Sequence, residues 1–150
     1  MPEPTAHCKG SIRLMSVTHY TNNTIYTVIR TAALASASNA HVTQTYTPSP
    51  SKFPCVFARE IGRFTPQQTV TVSNAQDIYE TTWEVQVFSN LQSGAKEQAH
   101  KLMNAVKNAL RGLYFVETME NPIDNSNNKY YTLVARFRRV IGSGESVPTT

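Results

Sequence analysis

The chain contains few cysteines and no long apolar run. Only two cysteines, Cys8 and Cys55, occur in 150 residues, whereas the disulfide framework of a small exported domain needs more of them. No segment approaches the roughly 18 consecutive apolar residues of a membrane-spanning helix, and the N-terminal residues include no apolar stretch of signal-peptide length. These absences predict free thiols and a protein that is made and used in a cytoplasm, without a membrane partner.

Sequence motifs for catalysis, metals and nucleotides are also missing. The four histidines are scattered, and none has a second histidine or cysteine at the short spacing that brings two ligands to one metal. We interpret His100 as a boundary side chain with one ring edge in water rather than as a general base. The glycines stand singly, without the pattern of a phosphate-binding loop or a dinucleotide fingerprint. We therefore expect a protein without catalytic activity, metal or cofactor.

The sequence does contain enough apolar residues for one folded domain. Its hydrophobic fraction is 40% and its charged fraction is 16%, which is ordinary for a globular protein of this length. The formal net charge of +4 is spread without a run of like charges, so charge alone identifies no partner. Composition and periodicity predict a flexible arm over residues 1–21, an α+β domain over residues 22–141 and a flexible tail over residues 142–150.

Two segments show the apolar period of an amphipathic helix. In residues 23–39, apolar side chains recur at the required spacing from Ile25 onward, although several β-branched residues there also favour a strand. The second helix opens at Gly94 and closes at Gly112, which we predict to take the left-handed conformation of a C-cap. The positive charges in its last turn, including Lys107, should complement the helix dipole. Its apolar stripe comprises Ala95, Ala99, Leu102, Met103, Val106 and Leu110.

Five further segments have the composition and alternation of β-strands. They are residues 41–47, 55–61, 79–87, 113–120 and 130–141. Strict alternation in the third segment places Trp83 on a core face and Glu80 and Glu84 on the other face. The Pro-rich stretch TPSPSKFP separates the first two segments as a loop. The order of elements predicts a largely antiparallel sheet with both helices packed on one face.

A polar connection at residues 62–76 is long for a loop inside a domain. It starts at a glycine, contains Pro66 and offers too few apolar groups to anchor it to a core. Its TVTV centre retains β-propensity, which leaves an edge strand or an extended hairpin as an alternative. We interpret the segment as a mobile loop or arm whose centre pairs with the sheet edge of a neighbouring chain. The residues predicted for this contact are Arg63, Thr65, Gln67, Thr69 and Thr71.

The last strand combines aromatic and basic residues. Alternation sends Tyr131, Leu133, Ala135 and Phe137 to the core and leaves Tyr130, Thr132, Arg136 and Arg138 on an exposed outer face. Such a face fits a neighbouring subunit, and Glu80, Glu84, Arg136 and Arg138 complete the predicted assembly interface. The alternative is a small single-stranded nucleic-acid-binding domain, in which aromatic rings stack on bases and arginines neutralise phosphates.

The second half of the chain carries four short motifs in a familiar order. They are YETTWEVQVFSN, SGAKEQAHKLMNAVKNALRGLYF, NPIDN and YYTLVARFRRVI, within residues 76–141. In this succession and spacing the chain resembles the tail-terminator (tail-completion) proteins of long-tailed bacteriophages, also described as minor capsid or head-tail joining proteins. The first half matches in outline, through FPCVFAREI, and the arm before Asn22 is longer than the family pattern.

The resemblance implies a structural subunit that needs no catalytic residue. Such subunits form a homo-oligomeric ring, typically a hexamer, at the head-proximal end of the tail tube, where the ring ends tube polymerisation. The implied partners are the tail tube protein and a head-completion protein, and phage DNA passes through the ring without sequence-specific binding. The implied location is the head-tail interface of the virion, after assembly in the host cytoplasm.

Overall fold

The helices and strands follow the predicted order. The computed structural model describes residues 24–64, 78–124 and 129–142. Helix α1 spans residues 24–36, and helix α2 spans Ala95–Gly112. The strands are β1 (His41–Thr43), β2 (Cys55–Phe64), β3 (Ile78–Ser89), β4 (Val116–Ile123) and β5 (Tyr131–Gly142). The predicted α+β fold class is confirmed.

The strands form one five-stranded sheet in the order β1-β2-β3-β5-β4. β1 runs parallel to β2, and the three other neighbouring pairs are antiparallel. The central strands β3 and β5 pair along their whole length, from Ile78 opposite Gly142 to Ser89 opposite Tyr131. Because side chains on a strand alternate between faces, this register decides which residues enter the core.

The main core lies between the sheet and the two helices. Helix α1 contributes Ile25 and Ile29, both fully buried, because the helical period brings them to one face. Helix α2 contributes its predicted stripe, in which Ala95 is half-buried and the other members are buried. The sheet contributes one face only, with Val56, Ala58, Trp83, Val85, Val87, Leu133, Ala135 and Phe137. Both helices therefore pack on the same face of the sheet, as predicted.

The outer face of the sheet, away from the helices, carries a second and smaller apolar cluster at the end where β1 lies. Cys55, Phe57 and Phe88 form this cluster, and Phe53 and Tyr130 pack against it. Burial raises the pKa of the Cys55 thiol, which keeps this residue neutral and of low reactivity. We call this region the β1 end and the opposite region, where Phe64 lies, the open end.

Some predicted strand boundaries were wrong for local reasons. β1 ends at Thr43 instead of residue 47, because the chain turns there and the Thr45 N–H donates a hydrogen bond to Thr43 Oγ1. β2 continues through residues 62–64, predicted as the start of a loop, because these residues pair with β3 beyond a bulge. β4 begins at Val116 and runs on through Pro122, a residue that an outermost strand tolerates.

The end of α2 also differs from the prediction. Gly112 is the last helical residue, and the left-handed conformation falls on Tyr114, with φ 62°. Leu113 and Phe115 on either side are both buried, so the chain reverses at Tyr114 and leaves its ring outside. The predicted N-terminal arm, the C-terminal tail beyond Gly142 and most of the polar connection lie outside the described residues.

We predict that Trp83→Ala lowers the free energy of unfolding by about 3 to 5 kcal/mol, because it opens a cavity beneath both helices. Trp83 is 1% exposed, and its indole N–H has no hydrogen-bond partner among the described residues. Trp83→Phe is the control, since it keeps much of the apolar volume and removes the unpaired donor. Its free energy of unfolding should fall clearly less than that of Trp83→Ala. Urea unfolding measures both, and equal losses would contradict this packing.

Candidate assembly surface on the outer face of the sheet

Four of the predicted interface residues lie together on the outer face, near the open end. Glu84 pairs in register with Arg136, and Thr82, two residues before it, pairs with Arg138. Glu80 and Glu84 share the face with both arginines, because alternate residues of a strand point to the same side. We call the set Arg59, Glu80, Glu84, Arg136 and Arg138 the charged ladder.

Glu84 is the centre of the charged ladder. Arg136 Nε donates a hydrogen bond to Glu84 Oε2 at 3.0 Å, and Arg59 Nη2 lies 3.7 Å from Glu84 Oε1. Gln86 Nε2 donates to the same Oε1 at 2.9 Å. The Glu84 side chain is only 6% exposed, while the two arginines are nearly half exposed. Glu84 was predicted on a solvated or subunit-facing surface; it lies instead beneath the two arginines, which present the charge outward.

Arg59 is a ladder residue that sequence reasoning missed. It sits on β2 directly opposite Glu84, and its guanidinium carbon lies 5.4 Å from the centre of the Phe57 ring and 5.8 Å from that of Tyr46. The available signal was the alternation of VFARE, which places Arg59 on the face of Phe57. Its partner could not be identified without the register between β2 and β3.

The open end of the ladder mixes weak ion pairing with exposed apolar side chains. Arg138 Nη1 lies 3.8 Å from Glu80 Oε1, and both side chains are partly exposed. Phe64 and Val140 pair with Glu80 from opposite sides, and they are 62% and 53% exposed. Val116, opposite Arg138 on β4, is 60% exposed. Charged and apolar groups thus share one accessible surface.

A loop covers the other half of the outer face, at the β1 end. The Tyr46 ring packs edge-on against Phe57 at 5.5 Å between centroids, and the Tyr130 hydroxyl donates a hydrogen bond to the Pro48 carbonyl at 2.9 Å. Thr132, predicted on the exposed face, is 2% exposed. That prediction was wrong: Thr132 pairs with Phe88 in the region where Phe53 and Tyr130 pack on the sheet. Among the described residues, the half that carries the charged ladder is the more exposed part of this face.

The remaining predicted interface residues do not join the ladder. Arg63 points to the helix side of the sheet, where its Nε donates to Glu60 Oε1 at 2.7 Å. Thr81 Oγ1 donates to Glu60 Oε2 at 2.7 Å, which fixes the same carboxylate from β3. Thr65, Gln67, Thr69 and Thr71 lie outside the described residues.

A second ionic cluster joins α2 to β4 on the helix side. Lys107 Nζ is hydrogen-bonded to Glu120 Oε2 and lies 3.2 Å from Glu117 Oε2, and its side chain is 13% exposed. Partial burial lowers the pKa of Lys107, but the hydrogen bonds and charges of Glu120 and Glu117 outweigh it and raise this pKa overall. Lys107 was expected to complement the helix dipole; its short contacts are instead with β4.

His100 lies beside this cluster. Its Nδ1 is 3.8 Å from Glu120 Oε1, and its Nε2 is 3.5 Å from the Tyr131 hydroxyl. The side chain is 41% exposed, which agrees with the predicted position at the boundary between core and solvent.

Comparison with known proteins gives no family. No protein-family model matches this chain, and a search of curated proteins found no match either. In residues 24–64, 78–124 and 129–142, no group of three or more His, Cys, Asp or Glu side chains is placed to hold a metal ion. Neither described helix combines the length and apolar character needed to cross a bilayer.

We predict that Glu84→Gln lowers the free energy of unfolding by about 2 kcal/mol, because it removes the charge-assisted hydrogen bond to Arg136 and leaves two arginines close together. The matched change Glu80→Gln should cost about 0.5 kcal/mol or less, since that pair is exposed and its charged atoms are 3.8 Å apart. Chemical denaturation of both variants tests this. A larger loss for Glu80→Gln would show that Glu84 is not the centre of the ladder.

We predict that Lys107→Met lowers the free energy of unfolding near neutral pH, and that this loss relative to the wild type becomes smaller at alkaline pH. A lysine pKa raised by folding stabilises the native state fully below the ordinary value of 10.5, and the contribution fades as pH rises through the folded-state pKa. The loss should be about 1 to 2 kcal/mol near neutrality and should shrink above the ordinary lysine pKa. Urea unfolding across pH measures it; Lys101→Met, on the exposed side of α2, should show neither effect.

Proposed function

We propose that this chain is a structural virion subunit that forms a ring at the head-proximal end of a phage tail tube, as a tail terminator. The proposal rests on the resemblance of residues 76–141 to that family and on one structural observation, the accessible half of the outer sheet face. The ring would end tube growth and offer a surface to the head-completion protein. We expect six subunits, the number that the resemblance implies.

The charged ladder is the observation that carries the proposal. It is an extended strand surface on which two arginines share one buried glutamate, and exposed Phe64, Val116 and Val140 border it. Protein interfaces are enriched in arginine and aromatic residues and combine apolar contact with polar groups that fix orientation. Because Glu84 holds Arg59 and Arg136 in place, the surface is ordered before a partner arrives. A partner therefore immobilises fewer side chains on binding.

Internal charge pairing favours a protein partner over nucleic acid. Arg59 and Arg136 share Glu84, and Arg138 faces Glu80, so part of the positive charge is already compensated. Affinity for a nucleic-acid backbone depends on uncompensated cations that release counterions, and such binding falls steeply with added salt. The ladder is thus better suited to a tail protein, with DNA passing through the ring without being read.

We predict that tails assembled without this protein are overlong tubes that do not join heads. Arg138→Glu should reproduce that defect while the isolated protein unfolds normally, because its side chain is 57% exposed and its ion pair with Glu80, at 3.8 Å, is weak. Lys101→Glu, an equal charge change on the exposed side of α2, should leave tails of normal length. Negative-stain electron microscopy measures tube length; normal tails in the complete absence of the protein would reject the proposed function.

A further inference from the structure

Within the described residues, both edges of the sheet are restricted at the β1 end and carry exposed apolar side chains at the open end. On one edge, β1 pairs with β2 only from Cys55 to Phe57, and no other described strand lies beside residues 58–64. On the opposite edge, Pro122 of β4 has no N–H to offer a further strand. The end of β1 and Pro122 lie at the same position along the strands. They belong to one row of paired residues that crosses the sheet through Val42, Val56, Val87, Leu133 and Pro122.

The β4 edge has a notch at the open end, lined by both apolar and charged side chains. β4 starts at Val116, opposite Arg138, whereas β5 continues to Gly142, so the last part of β5 extends beyond its outer neighbour. A depression at this step is lined by Glu80, Tyr114, Val116, Arg138, Arg139 and Val140. Tyr114 is 69% exposed, which is high for an aromatic side chain.

The β2 edge carries exposed apolar side chains at the same end. Phe64 is 62% exposed, and Ile61 nearby is 39% exposed. The Phe64 ring lies against Gly62, where a Cβ atom would come within 2.9 Å of it. The absence of a side chain at Gly62 therefore lets the ring lie along the outer face of the sheet, the face on which Val116 and Val140 also lie.

The charges of the two edges are opposite in sign. Among its own residues, the accessible part of β2 carries Arg59 and Arg63 and one carboxylate, that of Glu60, while Arg59 also contacts Glu84 of the neighbouring strand β3. On β4, Glu117 and Glu120 are opposed by the single charge of Lys107. A basic edge and an acidic edge on the same sheet attract one another between copies, whereas two like edges repel.

We propose that the Phe64 edge of one copy docks into the notch of the next, so that β2 pairs antiparallel with the neighbouring β4. The strand directions allow it: β2 and β4 run in opposite directions within one sheet, so two copies in the same orientation bring them together antiparallel. Gly62 and Val116 lie in one row across the sheet. The exposed part of β2 in one copy therefore lies beside the exposed part of β4 in the next copy, without an offset along the strands. The contact joins different surfaces of each copy, which generates a ring when the rotation closes.

This edge contact rests on the proposed function, because it is the contact between subunits that a terminator ring requires. Two single changes, Phe64→Lys and Val116→Lys, place a charge on one edge each. Both positions are more than half exposed, so both variants should unfold like the wild type. Leu91→Lys, at an exposed apolar position outside the sheet, is the control for Phe64→Lys. Ile123→Lys, at the blocked end of β4, is the control for Val116→Lys.

Native mass spectrometry of the full-length protein provides the readout. Wild type and both controls should form closed oligomers, each edge variant alone should be monomeric, and the two mixed together should form a dimer with one copy of each. That dimer is specific to unlike edges, because each variant retains the edge that the other has lost. Amide hydrogen exchange should also slow at residues 59–62 and 116–119 on assembly.

Three results would overturn the edge contact. The wild type could stay monomeric at all concentrations, an edge variant could form oligomers of the same mass as those of the wild type, or the mixture of the two edge variants could remain monomeric. An effect of Val116→Lys without one of Phe64→Lys would likewise overturn it, since that pattern indicates a symmetric contact between β4 strands. The proposed function fails separately, when tails that lack this protein are of normal length. A ring that survives both edge changes refutes the edge contact and leaves the terminator role standing.

Discussion

The register between β3 and β5 is the constraint on which the rest of the structure depends. Twelve residues of each strand pair without a shift, and a slip of one residue would exchange the two faces. Trp83 would then leave the core, and Glu84 would enter it beneath the helices without the arginines that now cover it. Burying an uncompensated carboxylate costs several kcal/mol, so the core and the charged ladder stabilise the same register from opposite faces.

Periodicity was sufficient to predict the elements that bury one face. The stripe of α2 and the alternation around Trp83 and Phe137 placed these residues correctly, because their environment follows from spacing along the chain. The errors arose where a distant segment determines the environment. Thr132 is buried beside Phe88, next to Tyr130, whose hydroxyl is bonded to a loop residue more than 70 positions away in sequence, and Gly62 belongs to a strand because β3 pairs with it. Neither partner is visible in a local pattern.

The sequence predicted which residues share the candidate surface, but it did not predict which of them contact one another. Alternation placed Glu80, Glu84, Arg136 and Arg138 on one face, which the structure shows. It did not reveal that Glu84 is covered by Arg59 and Arg136, since that depends on which strands are neighbours. The same dependence applies to Arg63, which shares a strand with Arg59 and points to the opposite face after the bulge. Strand order, more than strand identity, is what sequence reasoning lacked.

The chain has a single tryptophan, and its position has an experimental consequence. Trp83 lies between the sheet and both helices, away from the outer face and from the two accessible edges. Its fluorescence is therefore an optical reporter of the core alone. Emission should move to longer wavelength when the core opens to water and stay constant when copies join through the sheet edges. One spectrum can separate loss of the fold from loss of association, without an added dye.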